Sequence, residues 1–463
     1  MSKTFKTISP IDNSVYVERS YATKDEINTA LDLAQEAQKS WKKVDLQQRK
    51  KLCTKAIDAF VAKKDQIAEE ICWQMGRPIR SAAGEVAGME ERARAMINLA
   101  DQGLATVKLD GKPGFQRWIQ REALGVVFII APWNFPYLTA VNAILPAILA
   151  GNSVVLKHSA QTPLCAERFA EAFQAAGLPE GVFQYLHCTH DDAEAIIKDE
   201  RVNHVAFTGS VGGGAMVEKA AAGRFIGLGL ELGGKDPAYI RADANMDDAV
   251  DTTMDGAFFN SGQSCCGIER IYVDESIHDE FVKRSIEWVK ALKLGRSDEH
   301  ETSLGPVVRA KAADFVREQT REAVEQGAQS HISTDDYPLD KNGSPYLAPQ
   351  VLTNVNHKMR VMTEESFGPV IGIQKVKSDE EAIQLMNDSE YGLTACIFTT
   401  DMDRGIELGQ QLETGTFFIN RCDYLDPELA WTGVKNSGHG CTLSVVGYES
   451  LTRPKSFHIK TNL

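Results

Sequence analysis

Residues 123–156 run for 34 positions without a charged side chain, and no other feature of the sequence restricts its folding so severely. A stretch of that length exceeds the roughly 20 residues that a membrane-spanning helix needs. Its contents argue against lipid. Pro132, Pro136 and Pro146 interrupt helical hydrogen bonding, and Asn134, Asn142 and Asn152 would leave amides unsatisfied in a bilayer. The remaining solution is a buried strand, helix and second strand inside a layered domain. The sequence that follows repeats the pattern. Short apolar runs at 125–131, 153–157, 181–186, 204–208 and 226–232 alternate with helical stretches at 137–150, 163–176, 191–198 and 211–222. This predicts an α/β class and a doubly wound parallel sheet covered on both faces.

A second alternating block starts near Asp236, with strand-like runs at 271–274, 370–376 and 394–398 and a helical pattern at 277–292, so another α/β domain is expected. Upstream, Thr23-Lys24-Asp25-Glu26 is a capping box that opens a helix toward Ser40. A further helical pattern covers 46–75 and stops at Gly76 and Pro78. The N-terminal part is therefore expected to start helical. The polar stretches 106–121 and 454–463 read as edge strands that await a partner chain.

Charge and cysteine usage exclude several functions. Fifty basic against 64 acidic residues give a net charge of −14, which disfavours nucleic acid and anionic membrane surfaces as partners. The nine cysteines are odd in number and include no C-x-x-C, so a reducing, cytoplasmic setting is expected rather than a disulfide framework. His187-Cys188-Thr189-His190 has no second ligand pair at useful spacing, and no metal is expected.

Three residue types point to carbonyl chemistry. Cys265, in Gly262-Gln263-Ser264-Cys265-Cys266, offers a thiolate; Glu231, in Glu231-Leu232-Gly233-Gly234-Lys235, offers a carboxylate to activate water; Asn134, before Phe135-Pro136, offers an amide donor to an oxyanion. Each has a structural alternative: inert packing for the cysteine, a paired acid for the glutamate, and a turn position for the asparagine. Gly209-Ser210-Val211-Gly212-Gly213-Gly214 follows a predicted strand and opens a predicted helix, the placement that presents free amides to a phosphate, although it is not a G-x-G-x-x-G.

Taken together, Ala131 to Pro136, Val155-Leu156-Lys157, Phe207-Thr208-Gly209-Ser210 with Gly214, Glu231 to Lys235, Gly262 to Cys265 with Arg270, Glu365-Ser366-Phe367-Gly368-Pro369 and Gly433 to Gly438 resemble the NAD(P)-dependent aldehyde dehydrogenases. The likeness spans nearly the whole chain and in overall look is nearest to the succinate-semialdehyde dehydrogenase branch. It implies Cys265 as nucleophile, Glu231 as general base, and Asn134 with the Cys265 backbone amide as the oxyanion hole. Pro132, Trp133, Lys157, Gly209, Ser210, Glu365 and Phe367 would then hold NAD(P). Phe135, Asn142, Phe259, Ser264, Cys266, Leu425 and Trp431 would line a mainly apolar substrate tunnel, with Arg421 and His439 as possible charges. A Rossmann-like cofactor domain (1–105 and 123–230), a catalytic domain (231–420) and a small oligomerisation β-segment (106–122 and 443–463) follow by the same likeness, as does a homodimer or homotetramer.

Two departures bear on specificity. NAD-preferring members carry a Glu three residues after the lysine matched by Lys157, and here the residue is Ala160, so NADP stays open beside NAD. Members that oxidise succinate semialdehyde carry an Arg eight residues after the asparagine matched by Asn134, and here it is Asn142. An apolar or aromatic aldehyde is therefore expected ahead of a semialdehyde. Acyl transfer to coenzyme A and a redox-free thioesterase or esterase activity are the alternatives within the same chemistry.

Overall fold

The computed structural model describes residues 3–461; Met1, Ser2, Asn462 and Leu463, at the outer ends of the expected 1–105 and 443–463 segments, lie outside the described residues. The chain does not begin helical. Thr4–Ile8 and Val15–Ser20 form an antiparallel hairpin first, whose largely exposed faces give no periodic apolar signal in the sequence. The capping box then opens the helix Lys24–Trp41, with the Thr23 side chain accepting from the Glu26 amide and the Glu26 carboxylate accepting from the Thr23 amide. The pattern expected as one helix over 46–75 is two, Leu46–Val61 and Lys64–Met75, and the second ends at Gly76 in the left-handed region (φ 86°). A 25-residue helix, Ile79–Gly103, follows and was not anticipated.

The uncharged stretch folds as expected, into Val126–Ala131, helix Pro136–Leu149 and Ser153–His158. No helix among the described residues is long and apolar enough to cross a membrane. These strands belong to a six-stranded sheet ordered Gly438–His439, Gly227–Glu231, Val202–Thr208, Val126–Ala131, Ser153–His158, Phe183–Tyr185. Its pairings are parallel except at the short 438–439 edge. Alternation along the strands divides two cores. Val127, Ile129, Val154 and Leu156 pack toward Pro136–Leu149 and Pro163–Ala175, while Val126, Phe128, Val155 and Val205 face Lys24–Trp41 and the helices His190–Lys198 and Val211–Ala221. Strand order reverses between Val126–Ala131 and Val202–Thr208, so the crevice beyond their carboxyl ends is the topological switch point where such sheets bind ligands.

A seven-stranded sheet holds Asp236–Ile240, Ile268–Asp274, Gln350–Thr353, Val370–Val376, Thr394–Phe398 and Thr416–Ile419, again mainly parallel, with Gln329–Ser330 as an antiparallel edge. A third, antiparallel sheet joins Val107–Lys108, Phe115–Ala123 and Thr452–Lys460, and Trp118 stacks on Phe457 across it at 4.6 Å.

Candidate active site

Cys265 lies in the turn between helix Met246–Phe258 and strand Ile268–Asp274, partly exposed in a cleft of about 560 Å³. The backbone before it is strained. Asn260 and Ser261 take φ of 53° and 57°, and Gly262 takes 72°, where a Cβ would fall 2.2 Å from the Gly368 carbonyl oxygen. A buried polar network holds this conformation. Arg77 pairs with Glu85 and donates from Nη2 to the Asn134 carbonyl at 2.6 Å and from Nε to Asn260 Oδ1 at 3.2 Å. Glu85 accepts from the amides of Tyr137 and Leu138, the first turn of helix Pro136–Leu149. Asn260 Nδ2 in turn donates to the carbonyls of Asn134 and Gln263. Arg77, Glu85 and Asn260 therefore fasten Asn134 to the Cys265 loop, and reading the motifs one by one missed all three.

Asn134 is buried, and its Nδ2 donates to the Gln263 carbonyl at 3.3 Å. An amide nitrogen has two hydrogens, and one of them anchors the loop. Cys266 is less suited to attack than its neighbour. Its contact with Cys265 and its burial raise its thiol well above the ordinary range, and Sγ donates to Asp423 Oδ1 at 2.9 Å. Ser264 Oγ donates to the same oxygen at 3.0 Å, and burial pushes the Asp423 carboxyl up to about 6.

The structure brings Phe135, Phe259, Ser264, Cys265, Cys266 and Leu425 into one cleft, but its walls are more polar than the expected tunnel. Glu91, Arg92, Asp251, Asp255, Arg421 and Asp423 share it, contributed by segments outside the motifs around Asn134 and Cys265. Asn142 and Trp431 do not line this cleft. Asn142 faces a separate chamber, and Trp431 is buried in the core, bridged to Thr442. His439 lies near the surface, with Nε2 3.3 Å from Glu218. Arg92 was missed altogether. Its guanidinium is buried, donates from Nη1 to the Leu138 carbonyl at 2.7 Å and to Asn142 Oδ1 at 3.4 Å, and pairs with no carboxylate among the described residues. One signal was present: Glu85, Met89, Arg92 and Met96 recur at helical spacing, placing two charges on the buried face of Ile79–Gly103.

Glu231 ends the strand Gly227–Glu231 and lines a separate chamber of about 30 Å³. Thr208 Oγ1 donates to Oε2 at 2.9 Å and Thr442 Oγ1 to Oε1. Burial raises the carboxyl above its usual range, against the two hydroxyl bonds, which favour the ionised form.

The cofactor candidates surround the switch point. Ser210 caps helix Val211–Ala221, its Oγ accepting from the Gly213 amide, and a Cβ at Gly212 would meet nothing within 4 Å, which leaves the helix N-terminus open to a phosphate. Gly209 precedes the cap, and its amide donates to the Glu231 carbonyl. Pro132 and Trp133 continue from Val126–Ala131, and Lys157 is buried near the end of the neighbouring strand, with its ammonium lowered by that burial. Trp133 meets Phe367 edge-on at 5.6 Å. Glu365 accepts from the Gly234 amide at 3.1 Å, and burial, with the Glu269 charge nearby, pushes its carboxyl up to about 8. Amides at a helix start, a cation and a buried carboxyl form a polar set that suits a dinucleotide. His158 does not extend it: the ring is buried, with Nε2 3.1 Å from the Pro136 carbonyl, and desolvation lowers it to about 4, so it carries no charge for an extra phosphate.

The sequence model of the Aldehyde dehydrogenase family matches residues 1–457. The chain belongs to the aldehyde dehydrogenase family. It is 35% identical, over 92% of each chain, to an NAD(P)-dependent succinate semialdehyde dehydrogenase of Escherichia coli K12. The fold matches the solved structure of a succinic semialdehyde dehydrogenase from Streptococcus pyogenes in complex with NADP+, with a TM-score of 0.94, 31% identity and coverage of 98% and 100% of the two chains. It also matches a betaine aldehyde dehydrogenase from Staphylococcus aureus in complex with NAD+, with a TM-score of 0.93, 30% identity and coverage of 99% and 92%. This aldehyde dehydrogenase is thus an NAD(P)-dependent oxidoreductase that converts an aldehyde to a carboxylic acid.

Proposed function

We propose that Cys265 is the nucleophile, Asn134 and the Cys265 amide the oxyanion donors and Glu231 the general base, acting on an aldehyde that carries an anionic group bound by Arg92. The observation that carries this reading is a partly exposed thiol sharing a cleft with a buried guanidinium that forms no ion pair with a carboxylate among the described residues. Three of the four acids lining the cleft are engaged: Glu91 accepts from the Tyr424 hydroxyl, Asp251 from the Trp288 ring nitrogen, and Asp423 from Ser264 and Cys266. Arg92 Nη1 reaches Asn142 Oδ1 at 3.4 Å, so a cation from a different helix stands beside the residue that replaces the arginine expected in succinate-semialdehyde-oxidising members.

In this reading the Cys265 sulfur bonds to the aldehyde carbon while the two donors hold the oxygen. Bound NAD(P), on Lys157, Ser210 and Glu365, supplies the hydride acceptor. The acyl group is left as a thioester on Cys265. Glu231 takes a proton from water as that water attacks the thioester, so water rather than coenzyme A is the acceptor.

Residues 1–105 with 123–230 serve the cofactor and 231–420 the chemistry. The oligomerisation segments 106–122 and 443–463, paired through Phe115–Ala123 and Thr452–Lys460, join copies of the chain into a homodimer or homotetramer, which light scattering on the purified protein tests, and the setting is the cytoplasm. A second substrate reading rests on Phe135 and Phe259, stacked with centroids 6.4 Å apart, which suit an apolar or aromatic aldehyde. Aldehydes of equal length ending in a carboxylate, a methyl, a phenyl or an ammonium group, assayed with NAD and NADP separately, decide between them. The proposal expects the carboxylate to give the highest kcat/KM; preference for a neutral or cationic member contradicts it.

A further inference from the structure

Glu269 is 5% exposed and closely follows Cys265 in sequence, yet the proposed chemistry gives it no part. Its Oε2 accepts from Lys235 Nζ at 2.6 Å and from the Ser366 amide at 2.7 Å, and its Oε1 accepts from the Phe367 amide at 2.9 Å. Lys235 is 1% exposed and also donates to Ser366 Oγ at 3.0 Å. A bulge in the seven-stranded sheet aims the carboxylate at these donors. Asp236 pairs with Ile268 and Pro237 with Arg270, so Glu269 is the extra residue between the two strands. Arg270 braces the pair, its Nε donating to the Lys235 carbonyl at 2.8 Å.

The gripped amides belong to the segment that presents Glu365 and Phe367. Phe367 takes φ of 53°, a conformation costly for an aromatic residue, and meets Trp133 edge-on. Glu365 lies close over the Glu231 motif: its Oε1 accepts from the Gly234 amide, and a Cβ at Gly233 would fall 2.4 Å from that oxygen. Every atom that reaches Glu269 is a donor, so the position calls for a carboxylate and not an amide. A buried ion pair adds little net stability, whereas three donors converging on one carboxylate fix a segment in place.

We infer that Glu269 is a positioning residue for the cofactor: by accepting from the Ser366 and Phe367 amides it fixes Glu365 and Phe367 where they hold NAD(P), and Lys235 supplies the counter-charge that keeps the carboxylate buried. The inference rests on the reading of Glu365 and Phe367 as cofactor residues. Glu269 itself touches neither cofactor nor aldehyde.

The test reads nucleotide binding apart from chemistry. Quenching of protein fluorescence by NADH and NADPH gives Kd, and the burst of reduced cofactor at saturating NAD(P) reports acylation. Glu269→Gln keeps the size and turns an NH2 group toward the donors. Its Kd should rise roughly tenfold or more, the scale of a lost charged hydrogen bond, while the burst rate at saturating nucleotide stays within about twofold of the unmodified enzyme. That variant leaves Lys235 buried without a counter-charge. Glu269→Gln combined with Lys235→Met removes both charges, so it should fold and show the same weakened binding. In the unmodified, nucleotide-free enzyme the amide hydrogens of Ser366 and Phe367 should exchange slowly, and this arm stands even if no variant folds. An unchanged Kd in the folded double variant, or fast exchange at both amides, overturns the inference. So does a burst at saturating nucleotide that falls as far as the binding does, since that assigns Glu269 to the general integrity of the site. An unchanged Kd in Glu365→Ala instead removes the reading of the cofactor residues beneath it.

Discussion

Thr442 Oγ1 donates to Glu231 Oε1, so the residue proposed as the base is held from the side of the C-terminal loop, 211 positions away in sequence. Thr208 holds the other oxygen. Both bonds favour the carboxylate against a burial that raises its proton affinity.

Thr442→Val removes one of these bonds and keeps the shape. With less stabilisation of the charged form, the Glu231 carboxyl should rise further. The acid limb of the hydrolysis rate should move to higher pH by roughly one unit, while the burst of reduced cofactor stays unchanged. A pH series of burst and steady-state rates checks both.

Arg92→Met keeps the aliphatic bulk and removes the cation. If the guanidinium binds a substrate carboxylate, carboxylated aldehydes should lose roughly 100-fold in kcat/KM, the scale of a charged hydrogen bond, and neutral aldehydes of equal length almost nothing. Equal losses for both classes would assign Arg92 to packing.

The Arg77–Glu85 pair is buried at both ends, with side chains 1% and 0% exposed. Glu85→Gln leaves Arg77 without its counter-charge and should cost about 3–5 kcal/mol. Thermal unfolding of the variant should begin at distinctly lower temperature, and the burst should weaken because Asn134 and Asn260 lose their shared anchor.

Glu365 predicts a dependence of stability on pH in the cofactor-free protein. Its carboxyl is raised from 4.5 to about 8 by folding, so the folded state binds more protons than the unfolded one between those values. Its contribution is complete below the unfolded value and lost as pH rises through about 8. Glu365→Gln should therefore gain in melting temperature relative to the unmodified protein at alkaline pH and not at pH 4. Calorimetry across that range checks the sign.

Much of the fold was legible because local chemistry determined it. The Thr23–Glu26 capping box and the left-handed Gly76 mark helix ends by their own geometry, and the uncharged 123–156 run left little but a buried strand–helix–strand unit. The hairpin at the N-terminus was not legible, since strands exposed on most positions lack alternation. Cys265, Glu231 and Asn134 could be proposed because each sits in a motif. Thr442 and Asp423 could not, because tertiary packing of loops sets their place, and for Arg92 the helical spacing of Glu85, Met89, Arg92 and Met96 signalled a buried face but not the cleft it reaches. Asn142 was expected against the substrate from the family likeness, and packing turns it toward the chamber of Glu231.

The central claim concerns one sulfur. Glu231→Gln enzyme, supplied with NAD(P) and a carboxylated aldehyde, should gain the mass of the acyl group, and fragmentation should place it on Cys265. An adduct on Cys266, or none while reduced cofactor accumulates, would contradict the account.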